Sequence, residues 1–320
     1  MIVIWLLIAL GLIIMGASWL VEGASSIARK AGMSEFVIGL TIVGFGTSCP
    51  ELVVSLTGAF EGNADIAVGN VIGSNIFNVL FILGLTALIC PVSMSSVNRK
   101  NDIPVTLTVT TVFLVLGLNN TLWGIGQSDR LSRLEGFILI AAFVAYIIQS
   151  FRSGKSSDPY SSESKPRKLY IAIFMVIAGL AGLIIGGNLF VDSATDIARM
   201  VGVSDKFIAV TILAGGTSLP ELATSIVAAL KSRDQLALGN ILGSNVFNIL
   251  LILGTSAIIT PLPLSSVTYV DALVLLISMI LLLLWAYTGQ KERIDRLEGA
   301  LMLMLFGAYY TYLLCNCMTH

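Results

Sequence analysis

Ten apolar segments dominate this sequence, at roughly residues 2–22, 35–60, 66–89, 103–119, 132–150, 168–190, 205–230, 235–260, 269–287 and 298–316. Most are long enough to cross a hydrocarbon core of ~30 Å as a helix, although the fourth is short. Backbone polar groups in lipid must be satisfied within the structure itself, so such a chain is expected to be an all-α membrane protein. Charge content agrees: only 12% of the 320 residues are charged, against about 25% in soluble domains. The formal net charge of −1 says little, because placement outweighs the sum. The sole histidine is the last residue, His320, which excludes most His-dependent catalysis. An intramembrane hydrolase needs a Ser/His pair or paired aspartates in its spans, so no enzyme is expected, and nothing points to nucleic acid. Cys49, Cys90, Cys315 and Cys317 lack CxxC spacing and read as small apolar residues. Residues 2–21 have the length of a signal peptide but lack a basic n-region and recur in the second half, so they read as a mature span.

The segments fall into two groups of five, separated by a Ser-, Lys-, Arg- and Pro-containing stretch at 151–168. At an offset of 170, Gly16-Ala17-Ser18-Trp19-Leu20-Val21-Glu22 corresponds to Gly186-Gly187-Asn188-Leu189-Phe190-Val191-Asp192. The same offset maps Gly69-Asn70-Val71-Ile72-Gly73-Ser74-Asn75-Ile76-Phe77-Asn78 onto Gly239-Asn240-Ile241-Leu242-Gly243-Ser244-Asn245-Val246-Phe247-Asn248. Five is odd, so the second half enters the bilayer from the opposite side. The expected architecture is ten transmembrane helices in two inverted five-helix repeats, 1–150 and 169–320, joined by a 151–168 linker into one membrane domain. Loops on the linker's side hold fourteen Lys/Arg, against four on the other side (Arg130, Arg133, Arg199 and Lys206). The positive-inside rule then places the linker in the cytoplasm and both termini outside, as a multi-pass protein of the cell inner or plasma membrane.

Two phrases carry chemistry: Gly44-Phe45-Gly46-Thr47-Ser48-Cys49-Pro50-Glu51-Leu52 and Ala214-Gly215-Gly216-Thr217-Ser218-Leu219-Pro220-Glu221-Leu222. A charge at bilayer depth costs roughly 2.5–3.5 kcal/mol on insertion scales, so two matched glutamates need a shared reason. Pro50 lacks an N–H and clashes with the carbonyl of Gly46, so helices 2 and 7 are expected to be broken. Freed carbonyls near Gly44 and Ala214, the hydroxyls of Thr47, Ser48, Thr217 and Ser218, and two carboxylates give the oxygen set that hard cations prefer. The next span of each half adds Ser74 with Asn78, and Ser244 with Asn248, each pair spaced i, i+4 on one helix face. Asn70, Asn75, Asn240 and Asn245 are expected to satisfy broken backbone rather than touch ions. Glu22, Asp192, Glu135 and Glu298 sit at segment ends and read as interfacial, while Glu61 and Asp65 read as a solvated loop. Each motif alone reads equally as a kinked helix; the duplication at matched positions favours a site.

These paired motifs, Gly-Thr-Ser-x-Pro-Glu followed by Gly-Asn-x-x-Gly-Ser-Asn-x-x-Asn with Ala214-Gly215 opening the second copy, resemble the Ca²⁺/cation antiporters of the prokaryotic sodium/calcium-exchanger type. The resemblance implies ion sites between spans 2, 3, 7 and 8. Glu51, Glu221, Thr47 and Thr217 would hold Ca²⁺. The Gly44 and Ala214 carbonyls with Ser48, Ser218, Ser74 and Ser244 would hold Na⁺, and Asn78 and Asn248 would line the middle position. It further implies exchange of Ca²⁺ for Na⁺ by alternating access, with spans 1 and 6 sliding, no cofactor, and a bilayer-embedded chain acting as a monomer. Some relatives carry aspartate where Asn248 stands, including the potassium-dependent branch, so the asparagine speaks against potassium coupling. A Ca²⁺/H⁺ exchanger and a cation channel remain the alternatives.

Overall fold

Apolar runs become helices in this computed structural model, which describes residues 2–124, 128–153, 167–202, 212, 214–265, 267–288 and 292–319. Seven of the described helices are long and apolar enough to cross a membrane. They are α1 (Ile2–Ala31), α4 (Ala64–Ile89), α6 (Arg133–Arg152), α7 (Leu169–Met200), α9 (Asp234–Ile259), α10 (Tyr269–Thr288) and α11 (Arg296–Cys315). A bent pair, α2 (Glu35–Thr47) and α3 (Cys49–Phe60), makes an eighth crossing if taken as one span. Two shorter apolar helices are α5 (Ile103–Gly117) and α8 (Leu219–Leu230). The chain is thus an all-helical, multi-pass membrane protein. Most of the expected 151–168 linker and the start of the seventh span, Lys206 included, lie outside the described residues.

The break between α2 and α3 falls where the proline requires it. Ser48 leaves helical geometry (φ −80°, ψ 6°), the two arms meet at 47°, and Pro50 sits in the first turn of α3, where no N–H is needed. Ser218 repeats this conformation (φ −91°, ψ 8°) ahead of Pro220 and α8. A feature that the motif spacing does not reveal is the π-helical stretch Phe77–Leu83 inside α4 and its counterpart Phe247–Leu253 inside α9. Each begins one residue before the site asparagine, Asn78 or Asn248, and the wider turn re-aims the residues that follow, as such bulges commonly do at functional sites.

Helices approach closely through glycine. Gly16 of α1 and Gly179 of α7 face each other, and a Cβ on either would come within 2.8 Å of the partner's backbone. Gly84 of α4 meets Gly299 and Met302 of α11, and Gly136 of α6 meets the Gly254 carbonyl of α9. Small residues permit such backbone contact in membranes, where dispersion and not hydrophobicity holds helices together. Two strand pairs join the halves: β1 (Val92–Ser93) runs antiparallel to β4 (Arg293–Ile294), and β2 (Arg130–Leu131) to β3 (Leu262–Pro263).

Candidate cation-binding site

Each broken motif delivers a carboxylate to the start of a helix. Glu51 lies in the first turn of α3 and Glu221 in the first turn of α8, and both are buried, at 0% and 1% exposure. The two halves then exchange hydroxyls. Ser48 donates from Oγ to Glu221 Oε1 (3.0 Å), and Ser218 donates to Glu51 Oε1 (2.9 Å). Because Ser48 and Glu51 share one turn, as do Ser218 and Glu221, these reciprocal bonds bring both carboxylates to one place. Ser74 joins through its hydroxyl, 3.4 Å from Ser218 Oγ.

The remaining oxygens define the centre. Glu51 Oε2, Glu221 Oε2, Asn78 Oδ1, Asn248 Oδ1, Thr217 Oγ1 and Ser244 Oγ are all buried with no hydrogen-bond partner. Buried polar atoms are normally satisfied, so these six oxygens, two of them carboxylate, make a candidate cation site. Four of the six are pure acceptors, which a donor-lacking hard cation suits and a neutral ligand does not.

An asparagine lattice fixes their orientation. Asn78 Nδ2 donates to Asn245 Oδ1 (3.0 Å) and Asn248 Nδ2 donates to Asn75 Oδ1 (3.0 Å), so the amide nitrogens are engaged and both Oδ1 atoms stay free. Asn75 Nδ2 also donates to the Asn245 carbonyl (3.2 Å). Asn70 and Asn240 donate to the Glu51 and Glu221 carbonyls (3.2 and 3.3 Å) and to Ser55 and Ser225 (both 3.0 Å). Backbone satisfaction was the expected role of these asparagines; the cross-half pairing of Asn75 and Asn245, and the two serines, were not visible in the motif. Their signal was present only as polar residues repeated at the same offset inside apolar helices.

Two expected ligands look different. The Gly44 carbonyl is not freed: it accepts from Ser48 N (3.1 Å) and Thr47 Oγ1 (3.4 Å). Thr47 also bonds Asn240 Oδ1 (3.1 Å), whereas its counterpart Thr217 is unpartnered. Ala214 opens the short turn Ala214–Gly216, just ahead of Thr217. A cavity of about 1320 Å³ reaches these groups, lined by Cys49 and Pro50 of α3, Gly69, Asn70, Gly73 and Ser74 of α4, Asn188 and Asp192 of α7, and Thr217 and Pro220. The opposite side of the site is closely packed. There Gly239 and Gly243 of α9 press against the backbone of Phe36 and Leu40, and Gly39 packs against the Leu236 carbonyl.

Comparison with known proteins adds to this geometry. The family model described as "Sodium/calcium exchanger protein" matches residues 1–152 and 171–315. The chain is 41% identical to CaxA of Alkalimonas amylolytica over 317 residues, 96% of either chain. It is 32% identical to the sodium/calcium exchanger MaX1 of Methanosarcina acetivorans, covering 96% of this chain and 97% of that one. A solved structure of the sodium-calcium exchanger NCX_Mj, soaked with Na⁺ and Ca²⁺, superposes with a TM-score of 0.82 at 34% identity, covering 96% of both chains.

Proposed function

The chain belongs to the sodium/calcium exchanger protein family, within the prokaryotic Ca²⁺/cation antiporters, and from that premise we propose that this cation antiporter exchanges Ca²⁺ for Na⁺ by alternating access. Family transporters of this kind are not enzymes and need no cofactor. The observation that carries the proposal is the ring of unpartnered buried oxygens around Glu51 and Glu221. With both carboxylates ionised the site holds −2, which one Ca²⁺ neutralises. Several Na⁺ ions would use the same oxygens, those of Thr47, Ser48, Ser74, Thr217, Ser218, Ser244, Asn78 and Asn248 and the carbonyls of Gly44 and Ala214, so the two ions compete. At Gly44 a cation would have to displace the Thr47 hydroxyl. An empty −2 site is costly in a low-dielectric surround, which discourages crossing unloaded and makes exchange obligatory.

The architecture that fits is ten spans in two inverted repeats, 1–150 and 169–320, with the 151–168 linker in the cytoplasm and both termini outside. Matched geometry at Ser48 and Ser218, and matched π-helical stretches, support an internal twofold. In that topology the cavity beside Asp65 and Asp192 opens outward. A cavity on one side, with close backbone packing on the other among the described residues, supports a carrier over a channel.

Purified chain in liposomes is expected to take up ⁴⁵Ca²⁺ when an outward Na⁺ gradient is imposed. Uptake driven by a proton gradient and indifferent to Na⁺ would replace the proposal with Ca²⁺/H⁺ exchange, and conductance without counter-ion dependence would replace it with a channel.

A further inference from the structure

The two halves use the same turn with opposite charge. After α3 comes Glu61-Gly62-Asn63, and after α8, at the same offset of 170, comes Lys231-Ser232-Arg233. Their backbones match. Gly62 and Ser232 are both left-handed, at φ 75° and 56°. Glu61 N donates to Thr57 O (2.9 Å) as Lys231 N does to Val227 O (3.0 Å), and Asn63 N and Arg233 N reach Gly58 O and Ala228 O at 2.8 Å each. A non-glycine residue at positive φ is uncommon, so the second turn keeps its shape at some cost in strain.

What it gains are contacts across the sealed face. Lys231 Nζ donates to Ser18 Oγ (2.6 Å) and pairs with Glu22 Oε1 (2.8 Å), both on α1, while Glu22 Oε2 takes Arg167 just ahead of α7 (3.0 Å). Arg233 pairs with Glu35 at the start of α2 at 2.5 Å, with both side chains 11% exposed. One turn therefore ties α8 to α1 and α2, on the face where α2 lies against α9. In the other half the residues standing for Lys231 and Glu22 are Glu61 and Asp192, two carboxylates. Asp192 lines the open cavity, and among the described residues neither it nor Glu61 forms an ion pair.

We propose that Lys231 is a positioning residue for the exchange cycle, latching α1 to α8 on the sealed face, and that its replacement by Glu61 leaves the opposite gate unlatched. The inference rests on the alternating-access reading. Closing the cavity by the counterpart motion would set Asp192 against Glu61 as Glu22 is set against Lys231. Like charges then meet where the sealed face has an attractive pair, and the ion-free protein rests open toward Asp192. Exposed pairs are individually weak, so the network rather than any one bridge provides the bias, and a shift of roughly two- to fivefold in population is the scale to expect.

The test uses Cys49, which is half-buried and lines the cavity, as the reporter, with Cys90, Cys315 and Cys317 replaced by Ala. Right-side-out vesicles in choline buffer with chelator receive a membrane-impermeant maleimide. Relative to the parent, K231Q should label more slowly by about two- to fivefold. E61K, which gives Asp192 an attractive partner, should also slow labelling, and K231R, which keeps a cation against Glu22, should hold the parent rate. Unchanged rates in K231Q and E61K overturn the proposal. A K231R as slow as K231Q overturns it too, since that pattern marks local damage and not a lost charge. Failure of the exchange reading would show separately, as missing Na⁺-driven Ca²⁺ uptake by the unmutated chain, which labelling does not require.

Discussion

Helices α4 and α9 carry the same phrase, Gly-Asn-x-x-Gly-Ser-Asn-x-x-Asn, in opposite surroundings. In α9, 94% of the most apolar window is buried inside the protein, against 67% in α4. Gly239 and Gly243 press against the backbone of α2, whereas Gly69 and Gly73 are exposed on the cavity and have no described neighbour within 4 Å of a Cβ. The candidate ligands they present are nonetheless alike: Ser74 and Ser244, Asn78 and Asn248 are all buried. The repeated residues thus define the candidate cage, and close packing over the glycines is described on one side of it.

The sharpest way to break this comparison is to ask whether the cage itself is as symmetric as it looks. Glu51→Gln and Glu221→Gln should each cut Ca²⁺ affinity roughly ten- to hundredfold, because each removes a charged contact of about 1.5–3 kcal/mol. Initial rates of Na⁺-driven ⁴⁵Ca²⁺ uptake measure this, and full activity in either variant would end the two-carboxylate proposal.

Next come the glycines. Gly239→Ala and Gly243→Ala place a methyl against the carbonyls of Phe36 and Leu40, and should lower stability by about 1–3 kcal/mol or more, read as a lower Tm in detergent. Gly69→Ala and Gly73→Ala should leave Tm near wild type and, on the alternating-access proposal, slow turnover, because closure of the cavity would bring backbone onto those positions. Equal Tm losses in all four would show that the halves are packed alike and that the cavity is no path.

Asn240 is fully buried and holds Thr47, Ser225 and the Glu221 carbonyl, while Asn70 is half-buried and holds only Ser55 and the Glu51 carbonyl. Asn240→Ala should therefore cost about 1–3 kcal/mol and Asn70→Ala distinctly less, by thermal unfolding.

The smallest effect concerns Asp102, at the N-terminal edge of α5, where burial raises the carboxyl to about 6 against the donation from Asn98 Nδ2 (3.0 Å). Its folded pKa exceeds the unfolded value, so the stabilisation is fully present below the unfolded pKa and is lost as pH rises through 6. Asp102→Asn should raise Tm modestly at pH 8 and lose that advantage near pH 4.

Much of this was legible in the sequence. Glu51 and Glu221 stood out because ionisable residues at bilayer depth are expensive, and Pro50 marked the break because it cannot continue the hydrogen-bond ladder. Ser48 and Ser218 were visible as oxygens, but their donation to the carboxylate of the opposite half depends on long-range packing that no local pattern encodes. The same limit hid the π-helical stretches, which no proline or glycine inside Phe77–Leu83 or Phe247–Leu253 announces. Gly44 illustrates the reverse case. A carbonyl expected to be free is held by Ser48 N, since Pro50 removes the partner of the carbonyl four residues back, Gly46, and leaves the Gly44 bond intact.

The strand pairs have a consequence for how the protein is made. β1 waits for β4 and β2 for β3, and Gly84 of α4 and Gly136 of α6 find their neighbours on α11 and α9. A ribosome that has delivered only the first half has therefore inserted helices whose edges and grooves have nothing to hold. Tertiary closure must come after the last helix emerges, so the first half has to persist in the membrane as an unfinished bundle until synthesis ends.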